Sequence, residues 1–567
     1  MNRVISALRS LNTVPPDDNE FANWLELTDA VQFLKENAED DEFVLFAQAA
    51  PYTFIHTVLV PEELVSPPDV DDLMSWDCHP SHSWTTCTTF SEPPSVSIEG
   101  PLSYDRSKTL AQGEQLIFSR DFEGRTGQKD YIEILQKLTH LMDLHFLPER
   151  SAYCRLNHLG DLEDVIRVKR TSATSEGFEG TLVTIQRPTF DEYVALTGSA
   201  TIRMFDVTRF RPSHFGGWKH PPNLKNFVDG DLYYRQVVEH RHASYIRGFQ
   251  IVGAKTLKTD IARRFTSSGN DGKQYVSFLA HDFKNQMLRE ISLAPGETAN
   301  YFTESELPFE MSPAFFRAEV LSKYKADSDK YQLGDRSISC RGSWHLQTYD
   351  INEAGQVHTY LVYLRSLPYE EQLHWKAYNE RPKGPIAERA FKADFEGSWD
   401  IKIDPLNELK YLLLDLKKQA VPWWTLRSEK LIEQVHYPVT ASADEWSNEI
   451  LLLDQLTVEG FEENYLRHKA ESLGRKPDPR LRSLQLVEEC LSALGYDDEH
   501  GKELVAPLRK LHNLRSKLKG HASGDSAIAI RKEVLTNHQS YRKHFESLCC
   551  GSTDSIRTIM ETFKDFT

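Results

Sequence analysis

Two side chains near the C-terminus, Arg515 and His521, have the types and spacing that could do chemistry. Five residues separate them, and Ser516 follows the arginine directly. Histidine titrates near neutral pH and can therefore accept or donate a proton during a reaction. Arginine carries a permanent positive charge on a planar group that stabilises the charge of a reacting phosphate. This pair of residue types suits metal-free cleavage of a phosphodiester.

The stretch that carries the pair is predicted to be a basic helix. Its leucines recur at helical spacing: Leu504, Leu508, Leu511, Leu514 and Leu518. Pro507 suits the first turn of such a helix, and Gly520 suits the position just after its end. Positions 502 to 521 hold six Lys or Arg residues and one acid, in a chain of formal net charge −18. Any site for a polyanion must therefore be local.

The arrangement of Arg515 and His521 resembles the R-x4-6-H motif of the HEPN family, small helical domains many of which are metal-independent endoribonucleases. The resemblance implies that His521 is the general acid/base and that Arg515 binds the phosphate and stabilises the transition state. Ser516, Lys517 and Lys519 would contact the RNA substrate. It also implies that no metal or other cofactor takes part, and that two protomers form the cleft as a homodimer through the C-terminal bundle.

The function expected from this resemblance is that of an endoribonuclease of a bacterial antiphage, abortive-infection or toxin-like system. Residues 1–400 would then be a sensor or restraint that responds to an unknown trigger ligand or phage component. The alternative is a non-catalytic HEPN-fold binding or scaffold protein, in which Ser516 marks lost catalysis because the family usually has Asn, Asp or His there. A third hypothesis is a metal hydrolase that uses the histidine and cysteine clusters described below.

Composition places the chain among ordinary globular proteins of several domains. Its 567 residues are too many for one core, and its 40% hydrophobic and 26% charged residues are typical values. No run of apolar residues is long enough for a transmembrane helix, and the first residues do not have the pattern of a secretory signal. The seven cysteines are scattered, as in a reducing cytosol. We therefore expect a cytoplasmic protein with no membrane contact.

The fold class predicted for the whole chain is α+β multidomain, beginning with a mixed α/β region over residues 1–180. Hydrophobic periodicity there predicts two helices and two strands on either side of a long loop rich in Pro, Ser and Thr. The helices are Leu25–Asn37 and Lys129–Leu144, the strands are Glu42–Ala47 and Thr53–Pro61, and the loop is Pro67–Pro101.

Residues 181–400 are predicted to form an antiparallel β-rich domain with a sensing or binding role. Alternating and β-branched residues indicate strands and two hairpins, followed by one helix. The strands are Gly180–Gln186, Ala200–Val207 and Ser244–Val252, the hairpins are Tyr275–Phe283 with Met287–Leu293 and Trp344–Ile351 with Val357–Leu364, and the helix is Pro368–Asn379.

Residues 401–443 are predicted to be a helix and connector, and residues 444–567 an all-α, HEPN-like bundle. Short breaks between helical segments favour an up-and-down arrangement. The predicted helices are Asn407–Lys418, Asp444–Leu456, Glu459–Leu473, Leu481–Leu494, Leu504–Lys519, Ser526–Cys549 and Asp554–Phe566.

Three other groups of residues invite a site. Cys78, His79, His82 and Cys87 have zinc-binding side chains, but their spacing matches no standard zinc site, and loop residues without a role are the simpler interpretation. His240 and His242 would share one face of a strand, which is the geometry of a metal pair or a phosphate contact. Pairing of such histidines with carboxylates across the sheet is commoner. Six arginines would form an aromatic-lined basic face for nucleic acid, although cross-strand pairing is the commoner use of such residues. They are Arg187, Arg203, Arg209, Arg211, Arg235 and Arg247. We expect no bound metal.

Overall fold

The computed structural model describes residues 2–50, 52–120, 131–171, 179–211, 213–239, 241–266, 273–398, 404–440, 442–519, 524–564 and 566. The chain divides into two compact units. Unit 1 is Met1–Asn157 with Leu162–Asp271, and unit 2 is His158–Asp161 with Gly272–Thr567. The described residues form a mixed α and β structure with antiparallel sheets and a C-terminal helical region, as the sequence predicted at this coarse level.

The helices of unit 1 are α1 (Asn2–Asn12), α2 (Asp18–Trp24), α3 (Thr28–Glu39), α4 (Pro67–Leu73), α5 (Gln136–Leu141), α6 (Arg187–Thr197) and α7 (Lys258–Thr266). Its strands are β1 (Glu42–Ala50), β2 (Thr53–Pro61), β3 (Thr85–Thr89), β4 (Ser95–Glu99), β5 (Glu114–Gln115), β6 (Ile117–Arg120), β7 (Tyr131–Ile134), β8 (His145–Leu147), β9 (Ala152–Leu156), β10 (Leu162–Thr171), β11 (Glu179–Gln186), β12 (Ser199–Phe210), β13 (Leu224–Asp229), β14 (Leu232–Glu239) and β15 (Ala243–Val252).

Within the described residues, unit 1 is organised around an eleven-stranded antiparallel sheet. Its strands lie in the order β13-β14-β15-β12-β2-β1-β11-β10-β9-β8, and β5 pairs with β2. Neighbouring residues of a strand point to opposite faces. Accordingly, Ile55 and Phe205 pack in one cluster with the leucines of α1, whereas Met204 packs with Trp76 in another. The boundary predicted after residue 180 lies inside β11, which pairs with both β1 and β10.

Two predictions for unit 1 need correction. The predicted helix Lys129–Leu144 is reduced to α5, and β7 precedes it, because Ile132 and Ile134 alternate with more exposed neighbours and pair with β6. The predicted loop Pro67–Pro101 contains α4 and a hairpin of β3 and β4. Thr and Ser are common in loops, but together with Val they also suit an exposed two-stranded ribbon.

The strands of unit 2 are β16 (Ser277–Asp282), β17 (Met287–Ser292), β18 (Pro313–Phe316), β19 (Tyr331–Leu333), β20 (Ile338–Cys340), β21 (Trp344–Leu346), β22 (Asp350–Ile351), β23 (Val357–Tyr360) and β24 (Asn379–Glu380). The first predicted hairpin is confirmed, since β16 and β17 pair antiparallel. The second is confirmed only near its turn, where β22 pairs with β23. Its outer parts differ, because β21 pairs with β20 and the chain becomes helical at Leu361.

The helices of unit 2 are α8 (Ser322–Ala326), α9 (Leu361–Arg365), α10 (Tyr369–Tyr378), α11 (Glu388–Asp394), α12 (Pro405–Gln419), α13 (Lys430–Gln434), α14 (Ala443–Thr457), α15 (Glu463–Ser472), α16 (Ser483–Ala493), α17 (Asp498–Lys519), α18 (Gly524–His538) and α19 (Tyr541–Thr562). None of the helices in the described residues combines the length and the apolar character that crossing a membrane requires.

The helical region has one core that begins earlier in the chain than residue 444. Leu409, Leu413 and Leu416 of α12 are fully buried and belong to the same cluster as Leu508 of α17 and Phe545 of α19. The spacing of these leucines by three and four places them on one face of α12. The connector adds the buried Trp423 and Trp424 to this core.

Three helix boundaries in this region differ from the sequence prediction. Helix α17 begins at Asp498, so Pro507 lies inside the helix and not in its first turn. The predicted helix Ser526–Cys549 is two helices, because Gln539 has a positive φ of 67° and Ser540 caps a new helix by accepting a hydrogen bond from the Lys543 amide. Helix α19 then continues through the break predicted before Asp554.

Candidate functional site

Helix α17 carries the candidate site and is held in place by its apolar face. Leu508 and Leu511 are fully buried and Leu514 nearly so, and the helix packs against α14, α16 and α19. Gly551 of α19 allows a close approach, because a Cβ there would lie 3.1 Å from the Pro507 Cβ. This packing fixes the direction in which the polar residues of α17 point.

Arg515 is bound to two carboxylates of the chain. Its Nη2 donates a hydrogen bond of 3.2 Å to Glu459 Oε1, and its Nε lies 3.7 Å from Asp454 Oδ2. The Asp454 side chain is fully buried, while that of Arg515 is 32% exposed. A guanidinium has five N–H donors, and the Nη1 group has no partner among the described residues. Arg515 is therefore fixed in position and keeps donors for a ligand.

His512 shares the buried carboxylate with Arg515. Its Nδ1 lies 3.1 and 3.2 Å from the two oxygens of Asp454, and its side chain is 41% exposed. Residues three apart lie on the same face of a helix, which is why both side chains reach Asp454. The hydrogen bond to Asp454 raises the pKa of His512 above its ordinary value, against the opposing effect of burial.

The geometry of this cluster sets the tautomer of His512. A carboxylate only accepts hydrogen bonds, so Nδ1 carries the ring proton and donates a hydrogen bond to Asp454. In the neutral ring, Nε2 is then the atom able to accept a proton. A buried carboxylate that orients a partly exposed imidazole is an arrangement suited to general acid/base catalysis.

A tight turn after α14 positions Glu459. The Trp424 indole N–H donates to the Thr457 carbonyl at 2.9 Å, and the Arg427 Nε donates to the Glu459 carbonyl at 2.6 Å. Gly460 makes this approach possible, because a Cβ there would lie 2.4 Å from the Trp424 indole nitrogen. The connector before α14 therefore supports the carboxylate that holds Arg515.

The structure does not bring all the predicted site residues together. His521 and Gly520 lie outside the described residues, and Lys519 is the last residue of α17. Ser516 and Lys517 are exposed. At about 100° per residue, Lys517 points some 160° away from Arg515 around the helix axis. Lys517 lines a groove beside α18 and α19, on the side of α17 that faces away from Asp454.

Sequence reasoning missed His512, Asp454 and Glu459. His512 had a detectable signal, since it precedes Arg515 by three residues. Asp454 also had one, because it interrupts the apolar run of α14, EILLLDQLTV, and an acid on the buried side of a helix needs a partner. The identity of that partner is not a local property, because Asp454 and His512 are 58 positions apart in the chain.

In the cysteine and histidine cluster of unit 1, Cys78 and His79 pack against the rest of the unit. Cys78 is buried, and burial raises the pKa of its thiol. The His79 ring stacks on Phe54 with centroids 5.5 Å apart, and its Nδ1 bonds to Ser81 at 2.7 Å. Cys87 lies in β3. Among the described residues, no three His, Cys, Asp or Glu side chains are arranged to hold a metal ion.

The predicted histidine pair and basic face also turn out differently. Strand β14 ends at Glu239, and Arg241 has a positive φ of 64°, so His242 lies in a turn and not on a strand face; His240 lies outside the described residues. Most of the six arginines are bonded within unit 1. The pairs are Arg187 with Asp191, Arg203 with Asn37, Arg209 with Asp29, Arg211 with Asp18 and Arg247 with Asp206.

A scan against protein-family models, a search of curated proteins and a search of solved structures each returned no match for this chain. The geometry of the site is therefore the basis for inferring its function.

Proposed function

We propose that the chain is a metal-independent endoribonuclease whose reaction takes place at His512 and Arg515. The observation that carries the proposal is the partly exposed imidazole of His512, held by the buried carboxylate of Asp454 beside a fixed guanidinium. Such an arrangement supplies a proton acceptor and a cation at one place, which are the two requirements for phosphodiester cleavage by a neighbouring hydroxyl.

The proposed reaction proceeds by attack of a ribose 2′-oxygen on the adjacent phosphorus. Nε2 of neutral His512 accepts the proton of the 2′-hydroxyl as the new O–P bond forms. The P–O5′ bond breaks, and the 5′-oxygen takes a proton from water or from His521, the acid/base that the sequence predicts. The products are a 2′,3′-cyclic phosphate and a 5′-hydroxyl, so neither a metal nor an oxidant is required.

Arg515 would stabilise the negative charge of the pentacoordinate phosphorus. Its Nη1 donors have no partner among the described residues, and Glu459 and Asp454 prevent the side chain from rotating away. Asp454 acts through His512 and is a positioning residue. The predicted homodimer, the trigger acting on residues 1–400 and the role in antiphage defence remain proposals, since every contact described above lies within one chain.

The test is an RNA cleavage assay in EDTA with full-length protein, comparing wild type with His512→Gln. His468→Gln is the matched control, because His468 is exposed on α15 and lies outside the cluster. We expect cleavage by wild type and by His468→Gln, with cyclic phosphate ends, and at least about a hundredfold loss in His512→Gln. Equal cleavage by His512→Gln would refute the assignment, and a strict need for metal would refute the reaction.

A non-catalytic scaffold is the second candidate, and one observation favours it. Two carboxylates already offset the charge of Arg515, and Arg427 also contacts Glu459 at 3.8 Å. In that case Arg515 joins α17 to α14, and its only role is structural. The scaffold hypothesis predicts that no RNA is cut under any condition, while Arg515→Ala still lowers the stability of the fold.

A further inference from the structure

A groove on the other side of α17 has the features of an anion-binding site. It lies among α17, α18 and α19 and has a volume of about 450 Å³. Lys510, Lys517 and Arg509 line it from α17, His538 and Glu533 line it from α18, and His544 lines it from α19. None of these residues belongs to the cluster around Asp454.

The two lysines of the groove are available to a ligand. Lys510 and Lys517 are exposed, and within the described residues neither has a carboxylate within ion-pair distance. They are seven residues apart, which places them on the same face of α17, separated by about 10 Å along its axis. Arg509 differs, because it is paired with Glu488. Glu533 is the acid on the opposite wall, so the groove retains an excess of positive charge.

His544 supplies a second, independent feature of the groove, a buried polar atom without a partner. Its side chain is only 3% exposed, yet its Nδ1 has no hydrogen-bond partner among the described residues. The His538 ring lies 4.8 Å away and the Trp446 ring 5.5 Å away, and both contacts are edge-on. Burial, helped by the nearby His538 and Lys510, lowers the pKa of His544 to about 4. In the neutral ring Nδ1 can carry the proton and act as a donor, and a buried polar atom without a partner destabilises a protein.

We infer that this groove binds a phosphate group carried by a nucleotide or by RNA, held by Lys510 and Lys517 with His544 as a hydrogen-bond donor. Ammonium groups recognise phosphate as point charges, and the imidazole adds a directed contact. The inference goes beyond the proposed function, because the groove and His512 lie on different sides of α17. It holds whether or not the chain cuts RNA.

The test measures binding to the full-length wild-type chain with a fluorescein-labelled 2′-O-methyl RNA pentamer, which lacks the attacking hydroxyl and cannot be cut. Lys510→Gln and Lys517→Gln each remove one exposed charge. Lys476→Gln is the matched control, since Lys476 is exposed on the loop between α15 and α16. We expect each groove variant to raise the Kd by about tenfold, as loss of a charged hydrogen bond implies. The control should bind like wild type.

Competition identifies the source of the phosphate. Displacement of the pentamer by AMP and by inorganic phosphate supports a site for a small phosphate ester. Displacement by unlabelled RNA alone supports a site for the RNA backbone. No binding of the pentamer, AMP or phosphate, or groove variants that bind like Lys476→Gln, would overturn the inference. Cleavage of ordinary RNA is scored separately, so failure of the groove is distinguishable from failure of the nuclease.

Discussion

His512 Nδ1 and Asp454 Oδ1 lie 3.1 Å apart although the two residues are 58 positions apart in the chain, and only one of the two side chains reaches solvent. The carboxylate is fully buried and the imidazole is 41% exposed. A buried charge requires a partner. The contact therefore joins α14 to α17 at a residue of α17 whose side chain is accessible to solvent. The same contact provides structural support and a candidate proton acceptor.

Stability should depend on pH through this pair. The pKa of His512 is raised above 6.5 in the folded state, so the protonated ring stabilises the fold fully below that value. This stabilisation is lost as the pH rises through the folded pKa. We therefore expect the difference in free energy of unfolding between wild type and His512→Gln to be larger at about pH 5.5 than at about pH 8.5. Urea denaturation at the two pH values measures it.

Asp454→Asn provides the check on this prediction, because it replaces the carboxylate whose hydrogen bond and charge raise the pKa of His512 with a neutral amide. In that background, His512→Gln should have nearly the same effect at both pH values. If the difference in free energy of unfolding between wild type and His512→Gln grew as the pH rises, protonated His512 would not be the form that stabilises the fold.

Arg515→Ala should destabilise the protein even if the site is catalytic. The substitution removes a partner of the buried Asp454 and leaves Glu459 without its hydrogen bond from Arg515. We expect a loss of about 1–3 kcal/mol in the free energy of unfolding. Lys517→Ala, an exposed position two residues away, should change it by less than about 0.5 kcal/mol. Equal melting of the two variants would show that the Arg515 contacts contribute nothing.

Gly460→Ala should disturb the turn that presents Glu459. A Cβ there would lie 2.4 Å from the Trp424 indole nitrogen, so the indole must move and its hydrogen bond to Thr457 must break. We expect a destabilisation of about 1–3 kcal/mol, visible as a lower urea midpoint. Gly501→Ala is the control, because its Cβ would meet only Leu491 at 3.9 Å and alanine favours a helix. That variant should be at least as stable as wild type.

A fragment that begins at residue 404 should fold, and one that begins at residue 444 should not. The longer fragment keeps α12 and the connector, whose Leu409, Leu413, Leu416 and Trp423 are buried in the helical core. Removing them exposes apolar surface on α19. Circular dichroism and urea denaturation of both fragments test this. A cooperative transition in the shorter fragment would show that α12 is dispensable.

Much of the local structure followed from periodicity, because local patterns decide it. Strand β2 and helices α12, α14 and α16 lie where alternation or helical spacing predicted them, within one to two residues. Periodicity failed where one segment fits two patterns: the isoleucines of β7 suited a helix as well as a strand. It also gave no information on which strands pair. The break predicted after residue 180 therefore lies inside β11, next to β1, which is far away in sequence.

The candidate site was predictable only in part. The type and spacing of Arg515 indicated a phosphate ligand, and whether it binds one remains a prediction. Its partners could not be predicted, since Glu459 is 56 residues away and meets Arg515 only through the packing of α14 on α17. His512 lies outside the motif, because the motif pairs Arg515 with the later His521. Lys517 was grouped with Arg515 by proximity in sequence, whereas helical geometry places them on different sides.

Helix α19 follows in the chain both of the helices that it covers, and this order has a consequence for protein synthesis. Helix α19 packs against both α12 and α17, and its Phe545, Ile556 and Ile559 complete the helical core. A ribosome releases the N-terminal part first, so the leucines of α12 and α17 stay uncovered until residues 541–562 have been synthesised. A nascent chain that stops before residue 541 would therefore expose this apolar surface, and α17 would lack the support that α19 provides.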